Sequence, residues 1–268
     1  MTRQAVRPSL FAHALEKLGS DIVQGKFAAT GSLPREHDLC AYLGVSRSVM
    51  REVTRVLAQK GMLQALPKVG IKVRPEAEWN LMDIDVLNWL WRHGRRAQYV
   101  KDFLEFRLAF EPIASYQAAL RATPEQRKAI LDLCDKVIAA NETLSKGGDI
   151  MQAIACDLDF HSAIFKASGN RLLTHLGGMI SEIMARQVIE TTAEPGSFAH
   201  GLPLHQSVAR AIDAGDAVAA HHYSQLLVRM PYEDYLSKHI HDEPPLGTFG
   251  VKAPEFPVTA YAPAGKDG

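Results

Sequence analysis

Apolar residues recur at helical spacing along most of the chain. Leu10, Phe11, Ala14, Leu15, Leu18, Ile22 and Val23 keep that period up to Gly25, which predicts a first helix. Pro34 suits the first turn of a second helix, and Gly44 stops it in the left-handed conformation that glycine adopts without strain. Ser46 is a good N-cap and Gly61 a terminator after Lys60, so a third helix lies between them. In that helix Val49, Val53, Val56 and Leu57 form a stripe expected to be buried, whereas Arg47, Met50, Arg51 and Thr54 share a face expected to be exposed. Residues 62–66, the turn Pro67-Lys68-Val69-Gly70 and residues 71–73 read as strand, turn and strand. Two helices about a tight turn, followed by a hairpin, make a winged helix-turn-helix. Its exposed helix face carries two guanidinium groups near the N-terminus, where a recognition helix meets base edges and phosphates.

After Arg74-Pro75 the pattern changes. Trp79, Trp89 and Trp91 crowd together with Leu81, Ile84, Val86, Leu87 and Leu90 between them. A free tether of that composition would leave large aromatic area in water, so the segment is expected to dock one domain on the other, or on a partner subunit, as a short helix. From residue 97 to 240 the period is helical throughout. One helix spans 99–120 with Pro112 inside it as a kink, and Thr123-Pro124-Glu125-Gln126 opens the next as a capping box running to about 144. Further helices follow over 149–167, stopped by Gly169, over 171–191, over 204–214, ended by Gly215, and from Asp216 until Pro231; a loop is expected around Glu194-Pro195-Gly196. Short loops between such helices predict an antiparallel bundle whose core positions converge on a cavity.

The fold class is therefore mainly α: a winged helix-turn-helix over 9–75, a Trp-rich docking linker over 76–96 and an all-helical domain over 97–240. Residues 1–8 read as a basic arm. The Pro-, Gly- and Ala-rich residues 241–268 read as a disordered tail.

Charge sharpens this division. Net charge is zero over 268 residues, yet residues 1–75 hold 12 Lys/Arg against 5 Asp/Glu and the remainder 18 against 25, a split of +7 and −7. The basic part is the nucleic-acid candidate and the acidic part is not. Cys40, Cys134 and Cys156 lie far apart with no C-x-x-C, which fits buried thiols in a reducing compartment better than disulfides or a zinc cluster. No apolar run approaches about 18 residues and no signal-peptide pattern is present, so a cytoplasmic protein with no membrane partner is expected.

Few residues in the helical part carry chemistry. Asp157 and His161 at i and i+4 share one helix face; the spacing alone more often marks a chance surface pair, but Phe160, Ile164 and Phe165 turn that face inward. His205 can approach across the bundle, although a lone histidine is more often structural. Arg107 lies among Phe103, Leu104, Leu108 and Phe110, and a buried guanidinium needs an anion: Glu111, Glu105, or the carboxylate of a small acid. A metal-dependent hydrolase or lyase using Asp157, His161 and His205 is a rival function. It has no second carboxylate or nucleophile at a telling spacing, and it leaves Arg47, Arg51 and the wing unexplained.

The run LPREHDLCAYLGVSRSVMREV with the Gly70 wing resembles the DNA-binding domain of GntR-family bacterial transcription regulators. That resemblance puts Arg47 and Arg51 on the family's DNA-contacting arginines and Gly70 on its wing-tip glycine. The DNA-binding set it implies is Arg35, Ser46, Arg47, Ser48, Arg51, Lys68 and Gly70. Two departures stand out: His37 replaces an arginine common in the motif's first helix, and Lys68 replaces the first glycine of the wing.

E-x-R-x-x-x-E-P from Glu105 to Pro112, D-x-x-F-H from Asp157 to His161, Gly169-Asn170, and His205 ahead of Gly215-Asp216 together resemble the ligand-sensing FCD domain of the FadR subfamily. In that family an Asp and three histidines hold a divalent metal and an arginine contacts an organic acid. Carried over, Asp157, His161 and His205 are the expected ligands for Zn, Ni or Mn and, with Arg107, the expected effector contacts. The fourth ligand should fall near Leu227, which cannot ligate; His221 and His222, five or six residues earlier, point about 140° or more away. Waters or the effector can complete a three-ligand shell, or Asp157 and His161 can bind the effector directly. The W-N-x-x-D-x-D-V-L-x-W linker resembles that of galactonate-operon repressors within the family. The resemblances imply a ligand-responsive repressor, homodimeric on a palindromic DNA operator, with a sugar acid or related organic acid as effector.

Overall fold

The computed structural model describes residues 9–28, 30–93, 96–191 and 201–239. Helix α1 (Leu10–Val23) starts at Ser9, whose hydroxyl accepts the Ala12 N–H. Helices α2 (Glu36–Leu43) and α3 (Arg47–Gln59) meet at Gly44, which adopts φ +66° and ends α2. Pro34 lies outside α2 rather than in its first turn: Arg35 is the N-cap, and Glu36 and Asp38 supply the acidic first turn that a helix N-terminus favours. Ser46 caps α3 through the Val49 N–H. Strands β1 (Leu63–Leu66) and β2 (Gly70–Val73) form the antiparallel wing, Leu63 opposite Val73 and Leu66 opposite Gly70. A third edge went unforeseen. Leu33 N–H donates to Ile71 O and Val73 N–H to Gly31 O, so the approach to α2 pairs with β2.

Leu18, Leu39, Val53, Leu57 and Met62 are the centre of the winged domain's core, and Met50 joins them at 1% exposure. Met50 was expected on the exposed face. Seven residues apart on a helix differ by only about 20° of rotation, so Met50 points with Leu57, and Val49 and Val56 flank the stripe half-buried.

Past a single 3-10 turn at Glu76–Glu78, the linker forms α4 (Ile84–His93). Trp79 and Trp89 belong to the winged domain's core. The Trp89 indole N–H donates to Glu16 at 2.8 Å, and its ring lies so close to α1 that a Cβ at Gly19 would sit 2.5 Å from it. Trp91 instead packs with Val100 and Leu104 of the next helix.

That helix, α5 (Arg96–Arg121), contains Pro112. It is followed by α6 (Pro124–Ser145), α7 (Ile150–Ala167), α8 (Arg171–Thr191), α9 (Leu202–Ala214) and α10 (Ala217–His239). The capping box at Thr123 and Gln126 opens α6 as expected, and the left-handed Gly215 closes α9. Helix α9 begins earlier than expected, at Leu202, and α10 continues through Pro231 to His239. A proline removes one backbone donor and stiffens the chain, yet a well-packed helix absorbs it, as α5 also does at Pro112. Helix α10 lies along α5, α7 packs between α6 and α8, and α9 fits against α6 and α10. Phe160, Phe165, Ile180, Val208 and Ile212 form the heart of this bundle. Arg127 ties two helix ends together, donating to Ile212 O and Ala119 O at 2.8 Å each. Helix α4 rests on α1 and also meets α5 and α8.

The basic arm expected at residues 1–8, the loop around Glu194-Pro195-Gly196 and the tail over 241–268 lie outside the described residues. No helix among the described residues is long and apolar enough to cross a membrane.

Candidate functional site

Two centres emerge, one at each end of the chain's charge division. In the winged domain Ser46, Arg47, Ser48 and Arg51 occupy the first half of α3, and all are exposed. Ser46 Oγ and Ser48 Oγ lie 2.9 Å apart. Arg51 reaches back to Glu36 on α2 at 3.2 Å while its side chain stays 72% exposed, so the pairing orients the guanidinium without hiding it. Arg35 is exposed at the N-cap of α2. At the wing tip Lys68 and Gly70 are exposed and both have positive φ, +64° and +106°. A side chain in the left-handed region costs about 1–2 kcal/mol, so the tip holds a lysine where a glycine would be easier.

The second centre is buried in the bundle. Arg107 and Glu111 project from one face of α5, Asp157 and His161 from one face of α7, and His205 from the start of α9; each is less than a tenth exposed. Glu111 bridges Arg107 and His161, receiving Arg107 Nε at 2.5 Å on one oxygen and lying 2.8 Å from His161 Nδ1 with the other. Asp157 Oδ1 faces the Nε2 atoms of both imidazoles, His205 at 2.9 Å and His161 at 3.9 Å. His205 Nδ1 is held by Gly201 O at 2.9 Å. The Phe160 ring packs against both imidazoles, at 5.5 and 5.1 Å between centroids.

Electrostatics follow from this enclosure. Burial alone would raise the Glu111 carboxyl, but Arg107 and His161 outweigh it and hold it down at about 2. Burial likewise opposes the Asp157 charge, and His161, His205 and Arg107 together hold its carboxyl well below the usual carboxylate range. The His161 imidazolium is disfavoured by burial, yet Glu111 and Asp157 more than compensate and raise its pKa.

Asp157, His161 and His205 each present one donor atom within 4.8 Å of the others, a metal-type group. The donor chemistry fits. Metal-bound histidines turn their second ring N–H toward a carboxylate or carbonyl, and here the Nδ1 atoms face Glu111 and Gly201 while both Nε2 atoms converge on Asp157. His205 has oxygen acceptors at both ring nitrogens. A neutral imidazole carries only one N–H, so with Nδ1 donating to Gly201 O the Nε2 lone pair is open to a cation. Leu227 of α10 lies near His205: a Cβ at Gly201 would be 3.5 Å from both Leu227 Cδ1 and His205 Cε1. His221 is half-buried and His222 exposed, and neither joins the Asp157 group. Glu111 is the residue that sequence reasoning undervalued. It entered only as one possible partner for Arg107, although its place one helical turn from Arg107 was the signal.

Comparison with known proteins settles the family. Residues 10–73 match the model described as bacterial regulatory proteins, gntR family, and residues 102–229 match the FCD domain. An uncharacterized HTH-type transcriptional regulator of Escherichia coli strain K12, YieP, is 30% identical over 216 residues, covering 81% of this chain and 91% of its own. The chain belongs to the GntR family of transcription regulators. The galactonate operon transcriptional repressor of the same strain is 31% identical over 205 residues, covering 76% of this chain and 86% of the repressor. The solved structure of Lar, described as controlling the Listeria monocytogenes agr system, shares the fold with a TM-score of 0.60 at 14% identity, over 87% of this chain and 99% of that one. The protein is thus a FadR-type GntR regulator with an FCD domain, not the hydrolase or lyase weighed from the Asp/His cluster.

Proposed function

We propose that this GntR regulator represses a catabolic operon for a sugar acid or related organic acid, as a cytoplasmic homodimer on a palindromic operator, and releases it when the acid enters the bundle. The observation that carries the reading is the charge pattern around Glu111. Arg107 contributes one positive charge and Glu111 and Asp157 two negative ones, so the enclosed group balances only with a proton on His161, whose pKa those carboxylates raise; once that proton is displaced the group is short of one positive charge. A divalent cation on Asp157, His161 and His205 leaves a surplus of one positive charge, which a monocarboxylate cancels; this is the condition under which buried charge is tolerated. Bound there, the metal would supply a Lewis-acidic anchor for the acid's oxygens. Glu111 holds Arg107 through Nε, which leaves the planar fork beyond it to take the carboxylate in two parallel hydrogen bonds. Gly201 and Glu111 fix the imidazole orientations, and Phe160 keeps the group dry. The 31% identity to the galactonate operon transcriptional repressor, together with the linker's resemblance to that of such repressors, supports a polar acid.

On the DNA side Arg35, Ser46, Arg47, Ser48 and Arg51, with Lys68 and Gly70 at the wing tip, contact one half-site. A dimer requires the half-sites to be about one helical turn apart. The acid can shift operator affinity only by its difference in affinity for two arrangements of the domains.

The test is a thermal-shift screen of sugar acids and hydroxy acids with and without Zn²⁺, Ni²⁺ or Mn²⁺, followed by fluorescence anisotropy on promoter-region DNA. A true effector at 100 times its dissociation constant adds about 2.7 kcal/mol of stability. It also releases DNA from the wild type and not from Arg107→Ala. Normal release from Arg107→Ala sinks the carboxylate contact, and tighter DNA binding with effector reverses the assigned sign.

A further inference from the structure

The acidic motif of the linker has an occupant that neither the DNA face nor the buried Asp157 centre uses. Helix α3 ends at Lys60, its C-cap. The Lys60 ammonium lies 2.8 and 2.7 Å from the two oxygens of Asp83 and 2.9 Å from Asp85 Oδ2, and only 11% of the side chain is exposed. Burial disfavours that charge, but the two carboxylates outweigh it and raise its pKa. The backbone adds a second tie, because Asn80 N–H donates to Lys60 O at 2.9 Å. A third is steric. Gly61 has φ +78°, and a Cβ there would lie 2.6 Å from Glu78 O, so the linker presses on the end of α3 at a point only glycine allows. Asp83 Oδ1 also accepts the N–H groups of Asp85 and Val86 at 3.0 and 3.3 Å, so the carboxylate that grips the last residue of α3 caps the first turn of α4.

Lys60 stands at the opposite end of α3 from Arg47. Thirteen residues of helix put them about 20 Å apart, which removes the lysine from the base-contacting end. Helix α4 also meets α5 and α8, with Trp91 packed against Val100 and Leu104. One continuous route of close contacts therefore runs from recognition helix to linker to sensing bundle.

We propose that Lys60, Asp83 and Asp85 form a latch that fixes the recognition helix to the linker, making Lys60 a positioning residue through which the bundle sets the separation of the two DNA-binding units. This rests on the reading of the chain as a dimeric operator-binding regulator. Winged domain and α4 then move as one body, and the distance between half-sites that the dimer accepts is written in the joint rather than in the DNA-contacting side chains.

The experiment uses the full chain and duplexes that the wild type selects from a random pool, remade with one or two base pairs inserted or removed between half-sites, and with a single half-site. Asp83→Asn/Asp85→Asn keeps the α4 cap while removing both charges; Lys60→Met removes the opposite charge; Lys60→Arg should restore the latch. Both disrupting variants are expected to bind the selected duplex at least tenfold more weakly, to bind the single half-site within twofold of wild type, and to lose the wild type's preference for one spacing. Equal losses on single and double sites overturn the proposal, as does an unchanged spacing profile. Loss of fold in both variants, read by circular dichroism, also overturns it, because the cluster would then be a stability element. If the wild type selects no duplex, the regulator reading fails and this inference with it; if the wild type selects a spaced site and the variants keep its profile, only the latch fails.

Discussion

Replacing Glu111 with glutamine tests the electrostatic account of the buried centre at its pivot. The side chain is nearly isosteric, so the change removes a negative charge from between Arg107 and His161 with little change in volume. Glu111 is 2% exposed, so solvent screens the pairing little. Its carboxyl falls from an ordinary 4.5 to about 2. At about 1.4 kcal/mol per pKa unit, that difference corresponds to roughly 3 kcal/mol of stability near neutral pH, in line with the ~3–5 kcal/mol that breaking a buried ion pair costs.

The sign is fixed by the direction of the shift. A carboxyl with a folded pKa below its unfolded one stabilises the fold fully above the unfolded value, and the contribution drains away as pH falls toward the folded value. With ends at 4.5 and about 2, roughly 1 kcal/mol should be gone by about pH 4. Urea denaturation of chelator-treated protein at pH 7, 5 and 4 reads both quantities. Glu111→Gln should be less stable than wild type at pH 7, and the gap should narrow toward pH 4. His161 works in the opposite direction: its raised pKa gives stability that is full below the unfolded histidine value and lost as pH rises past the folded one. In the variant that loss moves to lower pH. A variant as stable as wild type at pH 7, or a gap that does not change with pH, refutes the bridging role of Glu111.

Four further outcomes are expected. Arg51→Ala should weaken operator binding by roughly 1–3 kcal/mol in anisotropy titrations while its melting point barely moves, since its pairing with Glu36 is solvent-exposed; equal DNA affinity would remove Arg51 from the recognition face. Lys68→Gly should relieve left-handed strain worth about 1 kcal/mol, and it should lower the slope of log affinity against log salt by about one phosphate contact; an unchanged slope means the wing tip does not touch the backbone. Leu227→His should supply a fourth donor beside His205 and tighten Zn²⁺ binding in chelator competition by about tenfold, or 1.4 kcal/mol; unchanged affinity places Leu227 outside the coordination shell. Gly19→Ala should drive the Trp89 ring out of its slot, costing roughly 1–3 kcal/mol by overpacking and shifting tryptophan emission to the red; a silent substitution would show that α4 does not dock on α1 as described.

How much of this was legible in the sequence depends on how far apart the interacting residues are. Caps and stops are local chemistry, and they were readable: Ser46, Gly44, the Thr123 box and Gly215 all act where their residue types predict. Periodicity did well until the winning side chain was one that tolerates either environment. Methionine at position 50 lies next to Arg51 and three positions after Arg47 in sequence, but only about 20° from Leu57 around the helix, and the angle decided its burial. Proline signals misled twice, at Pro34 and Pro231, because proline restricts its own conformation without dictating on which side of it a helix lies. Pairings over long sequence distance left weaker traces: nothing local says that residues 31–33 will edge β2, or that Lys60 will find Asp83.

The buried centre shows where that boundary falls for function. Asp157 and His161 could be put on one face by counting, and the Arg107–Glu111 pair likewise, because each pair lives on a single helix. Their meeting cannot be counted. α5, α7 and α9 must pack for Asp157 to face His205 across 48 positions of sequence and for Glu111 to turn from Arg107 to His161. Resemblance supplied that convergence in advance, and the folded geometry adds something resemblance did not carry. Both imidazoles have their outer nitrogens committed to Glu111 and Gly201, so their inner nitrogens are aimed before any ligand arrives. Aiming donors in advance lowers the ordering cost of binding. A change of one charge in this centre is large against a fold whose net stability is only about 5–15 kcal/mol.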